Sequence, residues 1–118
     1  MAKIVLIIEN DKDTLDLIGL LAEGLGHEVI LESDLISLEK ILLIGPDIIL
    51  LDHWLNQGTG GDLCREIKGH RYMQRIPVVI ISSFPDIIQL AKQSAADAFI
   101  EKPFDIQEVE DVLKSFLD

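Results

Sequence analysis

The sequence is poor in several features that would point to particular classes of protein. Its 118 residues include a single cysteine, Cys64, so no disulfide can form within the chain, which fits a reducing compartment. The three histidines are scattered and lack metal-ligand spacing with that cysteine. No apolar run approaches the ~18 residues of a membrane span, and the aliphatic run near the start is too short for a signal peptide. We therefore predict a cytoplasmic protein that does not bind a membrane.

Positive charge is also scarce, with 10 Lys and Arg against 21 Asp and Glu, for a formal net charge of -11. Because no basic stripe exists, we expect no direct binding to nucleic acid or to an anionic membrane surface. The acidity would suit a cation or a basic partner, although a solvated acidic surface explains most of it. The 48% of apolar residues is enough to bury a core, so we predict one domain over residues 1–118.

Short aliphatic runs are abundant, and they predict buried strands at residues 4–8, 28–32, 47–52, 78–81 and 98–100. Apolar residues with helical spacing follow each run, so strand and helix alternate five times. Strands joined by helices pair in parallel through right-handed connections. The predicted fold class is therefore α/β, a doubly wound (flavodoxin-like) five-stranded parallel sheet in the order 2-1-3-4-5, with five helices covering both faces.

Several details of these elements are also predicted. Asp11 or Asp13 is placed as the N-cap of the first helix, and Pro85 in the first turn of the fourth. Residues 53–61, rich in glycine, are interpreted as a loop without regular structure. The last helix is expected to begin its core face at Ile106. The second helix is expected to show one apolar face made of Leu35, Leu38, Leu42 and Leu43.

Polar residues lie at or just after the ends of four of the five predicted strands, namely Glu9, Asn10, Asp11, Asp52, Ser82, Ser83 and Lys102. Each residue alone has an ordinary interpretation as a helix cap or a turn residue. The carboxyl ends of parallel strands meet in one crevice, however, so these groups are predicted to share a site. Like charges ~4 Å apart cost roughly 4 kcal/mol at an effective dielectric constant near 20, a cost that Mg²⁺ would offset. The set suits phosphoryl binding or transfer, with Asp52 as the nucleophile.

Four ordered segments, residues 7–11, 46–52, 77–83 and 97–104, resemble the receiver domain of two-component response regulators, including the chemotaxis receivers. The resemblance covers essentially the whole chain. It implies that Asp52 takes a phosphoryl group from the phosphohistidine of a sensor histidine kinase or a phosphotransfer protein. It further implies a Mg²⁺ site, phosphoryl contacts and switch residues. The implied metal ligands are Glu9, Asn10, Asp52 and the main-chain carbonyl of Trp54, the phosphoryl contacts are Ser82 and Lys102, and the switch residues are Ser82 and Phe99.

The resemblance implies a binding and switching module and not a turnover enzyme. Phosphorylation would reshape the surface of the fourth helix, fifth strand and fifth helix for an effector that the sequence does not identify. Asn10 stands where the family usually has a second acid, so the alternative is a degenerate receiver that acts as an unphosphorylated interaction module. A phosphohydrolase is a third reading, although Trp54 occupies the position of its general acid. A homodimer is less well supported, because the last helix lacks the arginine-rich face of dimerising receivers.

Overall fold

Five parallel strands form the central sheet in the computed structural model, which describes residues 2–118. The strands in chain order are β1 (Ile4–Ile8), β2 (Glu28–Glu32), β3 (Ile48–Asp52), β4 (Trp54–Leu55), β5 (Gly58–Thr59), β6 (Val78–Ser82) and β7 (Ala98–Glu101). The main sheet has the order β2-β1-β3-β6-β7, and β4 and β5 form a separate antiparallel hairpin. Counting only the main strands, this order confirms the predicted 2-1-3-4-5 arrangement.

Residues 2–118 contain five helices, namely α1 (Lys12–Gly24), α2 (Leu38–Ile44), α3 (Gly60–Lys68), α4 (Ile87–Ser94) and α5 (Ile106–Leu117). Buried residues of α1 and α5 pack on one face of the sheet. Those of α2, α3 and α4 pack on the other face. The middle strands β3 and β6 are buried along their whole length, which is why their sequences show no polar alternation. Within residues 2–118, no helix combines the length and apolarity that a bilayer crossing requires.

The predictions for helix starts are partly confirmed. Asp11 is the N-cap of α1, where its carboxylate accepts the Thr14 main-chain N–H at 3.0 Å. Asp13 lies inside the helix instead, in its first turn. Pro85 lies in a turn before α4, because Asp86 caps that helix and its first residue is Ile87. Ile106 does begin α5 but is exposed, so the core face of that helix begins later, at Val109.

The predicted apolar face of α2 is wrong. The helix begins at Leu38, so Leu35 precedes it, although Leu35 and Leu38 both pack against the core. Leu42 and Leu43 are exposed, Leu43 at 89% of its surface, and Ile41 is the buried residue. A helix of seven residues makes about two turns. Only one narrow stripe of such a helix can face the sheet, so most of its leucines remain outside.

The stretch predicted to be an irregular loop after β3 is also more ordered than expected. Trp54 pairs with Thr59, and Leu55 pairs with Gly58, to form the β4–β5 hairpin. The hairpin leads directly into α3, whose N-cap is Thr59. This connection holds the start of α3 close to the end of β3, and that proximity shapes the candidate site.

Candidate functional site

Four strand ends meet at the carboxyl edge of the sheet, as predicted. Glu9 follows β1, Asp52 ends β3, Ser82 ends β6 and Lys102 follows β7. The Lys102 main-chain N–H donates to the Ser82 carbonyl at 2.9 Å, which joins two of these ends. Glu9 and Asp52 keep only 2% and 4% of their surface exposed, and Ser82 is fully buried. Buried carboxylates are rare unless they are paired, so this edge is chemically distinctive.

The Lys102 ammonium lies between the two acids. Its Nζ atom contacts Glu9 Oε1 and lies 3.8 Å from Asp52 Oδ1. Burial, and after it the neighbouring Asp52 carboxyl group, raise the pKa of Glu9 to about 8, although Lys102 acts in the opposite direction. One ammonium therefore compensates for only part of the negative charge that two ionised carboxylates would place here. The site is suited to receive additional positive charge.

The donor atoms fit a hard divalent cation. Glu9 Oε2 is buried and has no hydrogen-bond partner, so one carboxylate oxygen remains available. Asn10 is exposed beside it, and Trp54 lies two residues after Asp52 in β4. Carboxylate, amide and main-chain oxygens are the ligand types that Mg²⁺ prefers. Within residues 2–118, no group of three or more His, Cys, Asp or Glu side chains is placed to hold a metal ion.

Two glycines at the start of α3 hold the segment that carries Asp52, a feature not predicted from the sequence. A Cβ atom on Gly60 would lie only 2.0 Å from the Asp52 carbonyl oxygen. The Gly60 N–H donates to the His53 carbonyl at 2.8 Å, and the Gly61 N–H donates to His53 Nδ1 at 3.2 Å. Burial lowers the pKa of His53, which favours the neutral ring that this last bond requires. The pair Gly60 and Gly61, which follows Asp52 in the sequence, was the feature that could have predicted this close approach.

The aromatic rings of His53, Trp54 and Phe84 pack against one another just after the ends of β3 and β6. The His53 ring lies 4.6 Å from the Trp54 ring and 5.4 Å from the Phe84 ring, in edge-to-face geometry in both cases. The Trp54 side chain remains 52% exposed. Trp54 and Phe84 stand two residues after Asp52 and Ser82, respectively. The aromatic group therefore joins the ends of β3 and β6.

The remaining predicted residues lie nearby but serve different roles. The Asp11 carboxylate caps α1, and its bonds to Thr14 hold its pKa below the usual range. Ser82 Oγ accepts the Phe84 main-chain N–H at 3.0 Å. Phe99 lies in β7 with part of its ring exposed, opposite Ile80 of β6. The Lys102–Pro103 peptide bond is cis.

The class of protein follows from this geometry. The chain is a doubly wound α/β domain with a buried acidic site where the strand order reverses, which is the usual ligand position in such folds. The sequence matches the response regulator receiver domain family over residues 5–114, and the chain belongs to that family.

Individual relatives agree with this assignment. The chain is 28% identical to the polar-differentiation response regulator DivK of Brucella abortus strain 2308, over 99% of this chain and 98% of that protein. A response regulator structure from Chloroflexus aurantiacus J-10-fl superimposes with a TM-score of 0.90 at 24% identity, covering 99% of this chain and 98% of the other. The phosphorylated cyanobacterial phytochrome response regulator RcpA gives a TM-score of 0.83 at 25% identity, covering 100% and 96%. The chain is thus similar along its whole length to proteins of two-component systems.

Proposed function

We propose that the chain is a phospho-accepting receiver of a two-component system, with Asp52 as the phosphoryl acceptor. The observation that carries this proposal is the pair of buried acids, Glu9 and Asp52, with the partly buried Lys102 between them at the carboxyl edge of the sheet. Asp52 attacks the phosphorus of a phosphohistidine on a sensor histidine kinase or phosphotransfer protein. A new O–P bond forms, the P–N bond breaks, and the imidazole nitrogen leaves with the bonding electron pair. RcpA supports the proposal by similarity, since its structure is that of a phosphorylated response regulator.

The residues of the site have separate roles in this step. Lys102 Nζ, 3.8 Å from Asp52 Oδ1, is placed to pair with the phosphoryl oxygens as they approach. The Ser82 hydroxyl accepts one bond from Phe84, and its own proton remains available to donate to a phosphoryl oxygen. Glu9, Asn10, Asp52 and the Trp54 carbonyl are the proposed ligands of Mg²⁺. When bound, Mg²⁺ would neutralise negative charge on the transferring group.

Phosphorylation of Asp52 is proposed to act by changing a binding surface of the domain, and not by releasing a product as a turnover enzyme does. If Ser82 donates to the phosphoryl group, the β6–α4 connection that begins at its carboxyl end moves with it. The partly exposed Phe99 ring lies on the neighbouring strand and can exchange exposure for burial. The surface made of α4, β7 and α5 would thereby engage an effector whose identity the fold does not specify.

Labelling with a small phosphodonor such as acetyl phosphate tests this proposal directly. Wild-type protein should take up label only with Mg²⁺, and Asp52→Asn should abolish uptake. Asn10→Asp should lower the Mg²⁺ concentration that gives half-maximal labelling, because it adds a second carboxylate ligand beside Glu9. Label on Asp52→Asn equal to that on the wild type would rule out Asp52 as the acceptor.

Asn10 favours a second candidate function, an interaction module that works without phosphorylation. The loss of one acid reduces the charge available to bind Mg²⁺, and the structure describes only two acids buried at this edge. Trp54, the only tryptophan of the chain, lies beside the site and serves as a reporter. Its fluorescence should respond to Mg²⁺ and to beryllofluoride if the receiver is active. No response to either at millimolar concentration would favour the unphosphorylated module.

A further inference from the structure

Positive charge in this acidic chain is concentrated in one short region. Residues 65–75 contain four of the ten Lys and Arg residues and only one acid. Two of these four are engaged, since Arg65 pairs with Asp62 and Lys68 pairs with Asp97. Arg71 and Arg75 form no ion pair within 4.0 Å in the described part of the chain. Within the part of the chain that the structure describes, two arginines thus have no acidic partner, although the protein has 21 acids.

The loop that carries these arginines, between α3 and β6, is held in one conformation by its own hydrogen bonds. The Gln74 N–H donates to the His70 carbonyl at 2.9 Å, and the Ile76 N–H donates to the Met73 carbonyl at 2.9 Å. The Tyr72 N–H donates to His70 Nδ1 at 3.1 Å. The Met73 side chain is fully buried and anchors the loop to the core. An ordered loop loses little conformational entropy when a partner binds.

Tyr72 lies between the two arginines in sequence and is 72% exposed. The Arg71 guanidinium carbon lies 5.4 Å from the centre of the Tyr72 ring, within the range of a cation–π contact. Arginine and tyrosine are among the residue types most enriched at the energetically dominant positions of protein interfaces. We call the group of Arg71, Tyr72 and Arg75 the arginine patch.

The arginine patch is remote from the phospho-acceptor site. It precedes β6 and so lies at the amino edge of the sheet, whereas Asp52 lies at the carboxyl edge. A strand of five residues separates the two edges by roughly 15 Å. Nothing in the loop contacts Glu9, Asp52 or Lys102 in the hydrogen bonds and ion pairs of residues 2–118. Occupancy of one surface should therefore leave the other accessible.

We propose that the arginine patch docks an acidic, partly apolar segment of a partner protein, independently of the state of Asp52. The two guanidinium groups would pair with carboxylates, and the Tyr72 ring would pack against an apolar side chain. A short protein segment suits the patch better than a nucleic acid does, because the net charge of -11 repels a long polyanion. The patch would then tether the receiver to a partner before and after phosphoryl transfer.

A peptide titration followed by amide NMR shifts tests the proposal. The probe is a short capped peptide of alternating glutamate and leucine. The control is a peptide of the same length in which lysine replaces glutamate, so that only the sign of the charge changes. The acidic peptide should shift the amides of residues 70–76. Arg71→Glu combined with Arg75→Glu should weaken binding about tenfold or more, and Tyr72→Ala should also weaken it. Beryllofluoride should change the affinity by less than about twofold.

The matched control combines Lys92→Glu with Lys114→Glu, which changes the net charge by the same amount at two exposed lysines outside the patch. An equal loss of binding in this control would mean that bulk charge is responsible, and would overturn the proposal. So would the absence of shifts in residues 70–76 at millimolar peptide. Equal binding of a single-stranded oligonucleotide would overturn it by assigning the patch to nucleic acid. Patch-dependent self-association, seen by sedimentation, would overturn it by making the partner a second copy of this chain.

Discussion

The two edges of the central sheet use similar residues in opposite ways. At the amino edge, Asp47 accepts the Ile4 main-chain N–H and Asp97 accepts the Val78 main-chain N–H, both at 2.8 Å. Each aspartate precedes one strand and bonds to the start of the neighbouring strand. At the carboxyl edge, Glu9 and Asp52 are buried, and Glu9 Oε2 has no partner. Among residues 2–118, the carboxylates at the amino edge accept main-chain hydrogen bonds, whereas one carboxylate oxygen at the carboxyl edge accepts none.

The direction of the strands explains this difference. Parallel strands begin with free N–H donors and end with free carbonyl acceptors, and an acid can be satisfied only by donors. The lysines show the same contrast. Lys68, near the amino edge, pairs with Asp97 and also donates to the Ile76 carbonyl at 2.7 Å. Among residues 2–118, the Nζ atom of Lys102 pairs only with the carboxylates of Glu9 and Asp52, so this ammonium can change partners when an anion arrives. The unpartnered oxygen of Glu9 is therefore consistent with the site proposed at the carboxyl edge, whereas Asp47 and Asp97 hold the amino edge together.

The largest expected effect tests how firmly the carboxyl edge is held. Gly60→Ala should destabilise the protein by about 3 kcal/mol or more, because the new Cβ atom would collide with the Asp52 carbonyl. Urea denaturation measures this loss. Gly24→Ala is the matched control, since among residues 2–118 no heavy atom beyond its chain neighbours and its own helix backbone lies within 4 Å of its Cβ position, and it should be neutral or stabilising. A Gly60→Ala protein as stable as the wild type would show that the edge adapts easily.

The next prediction tests whether the amino edge is structural. Asp97→Ala should reduce the free energy of unfolding by about 2 kcal/mol, because it removes the acceptor of the Val78 N–H and the partner of the largely buried Lys68. Phosphodonor labelling of the folded protein should remain at the wild-type rate. A variant that keeps its stability but loses labelling would reverse the assignment of the two edges.

Replacing an acid at the carboxyl edge should instead increase stability at high pH and reduce phosphodonor labelling. The pKa of Glu9 is raised from 4.5 to about 8, so its stabilising contribution is complete below pH 4.5 and is lost as pH rises through 8. Without Mg²⁺, Glu9→Gln should therefore gain on the order of 1 kcal/mol over the wild type above pH 8, and this advantage should disappear near pH 4. Denaturation midpoints across pH measure it. A destabilised Glu9→Gln protein at high pH would contradict the comparison, and reduced labelling is expected throughout.

The smallest expected effect concerns two helix ends that lead into the amino edge. Gly45, after α2, and Ala95, after α4, have φ values of 61° and 60°, in the left-handed region. Ala95→Gly should stabilise the protein by less than about 1 kcal/mol, and Gly45→Ala should destabilise it by about 1 kcal/mol. Thermal unfolding of both variants checks the pair. Equal shifts of the same sign would show that local backbone strain does not decide stability at these caps.

Much of the fold was predictable because burial leaves a direct trace in sequence. The runs at β1, β3 and β6 contain no polar alternation, and that pattern is typical of a parallel sheet covered on both faces. Errors occurred where position relative to the sheet decides exposure. Leu43 and Ile106 are apolar and have suitable spacing, yet both are exposed, because only the stripe of each helix that faces the sheet is buried.

The residues of the candidate site likewise include some that were predictable from the sequence and some that were not. Glu9, Asp52, Ser82 and Lys102 were predictable, since each follows or ends a recognisable strand and the strand order brings the four ends together. The roles of Gly60 and His53 were not, because they depend on the distance between the end of β3 and the start of α3. No spacing rule reports a main-chain contact of this kind. The β4–β5 hairpin that creates it is only two residue pairs long and leaves little pattern.

The alternation of strands and helices, the sheet order and the acids at its carboxyl edge are all specified by the order of residues along the chain. They follow from local burial patterns and from the handedness of the connections. Which polar groups are satisfied was settled by tertiary contacts. Asp97 accepts a main-chain N–H, Glu9 has a lysine and one unpaired oxygen, and Arg71 has no acid within 4.0 Å among residues 2–118. Whether a charged group is satisfied depends on donors and acceptors brought from distant parts of the chain, and a sequence does not state those distances.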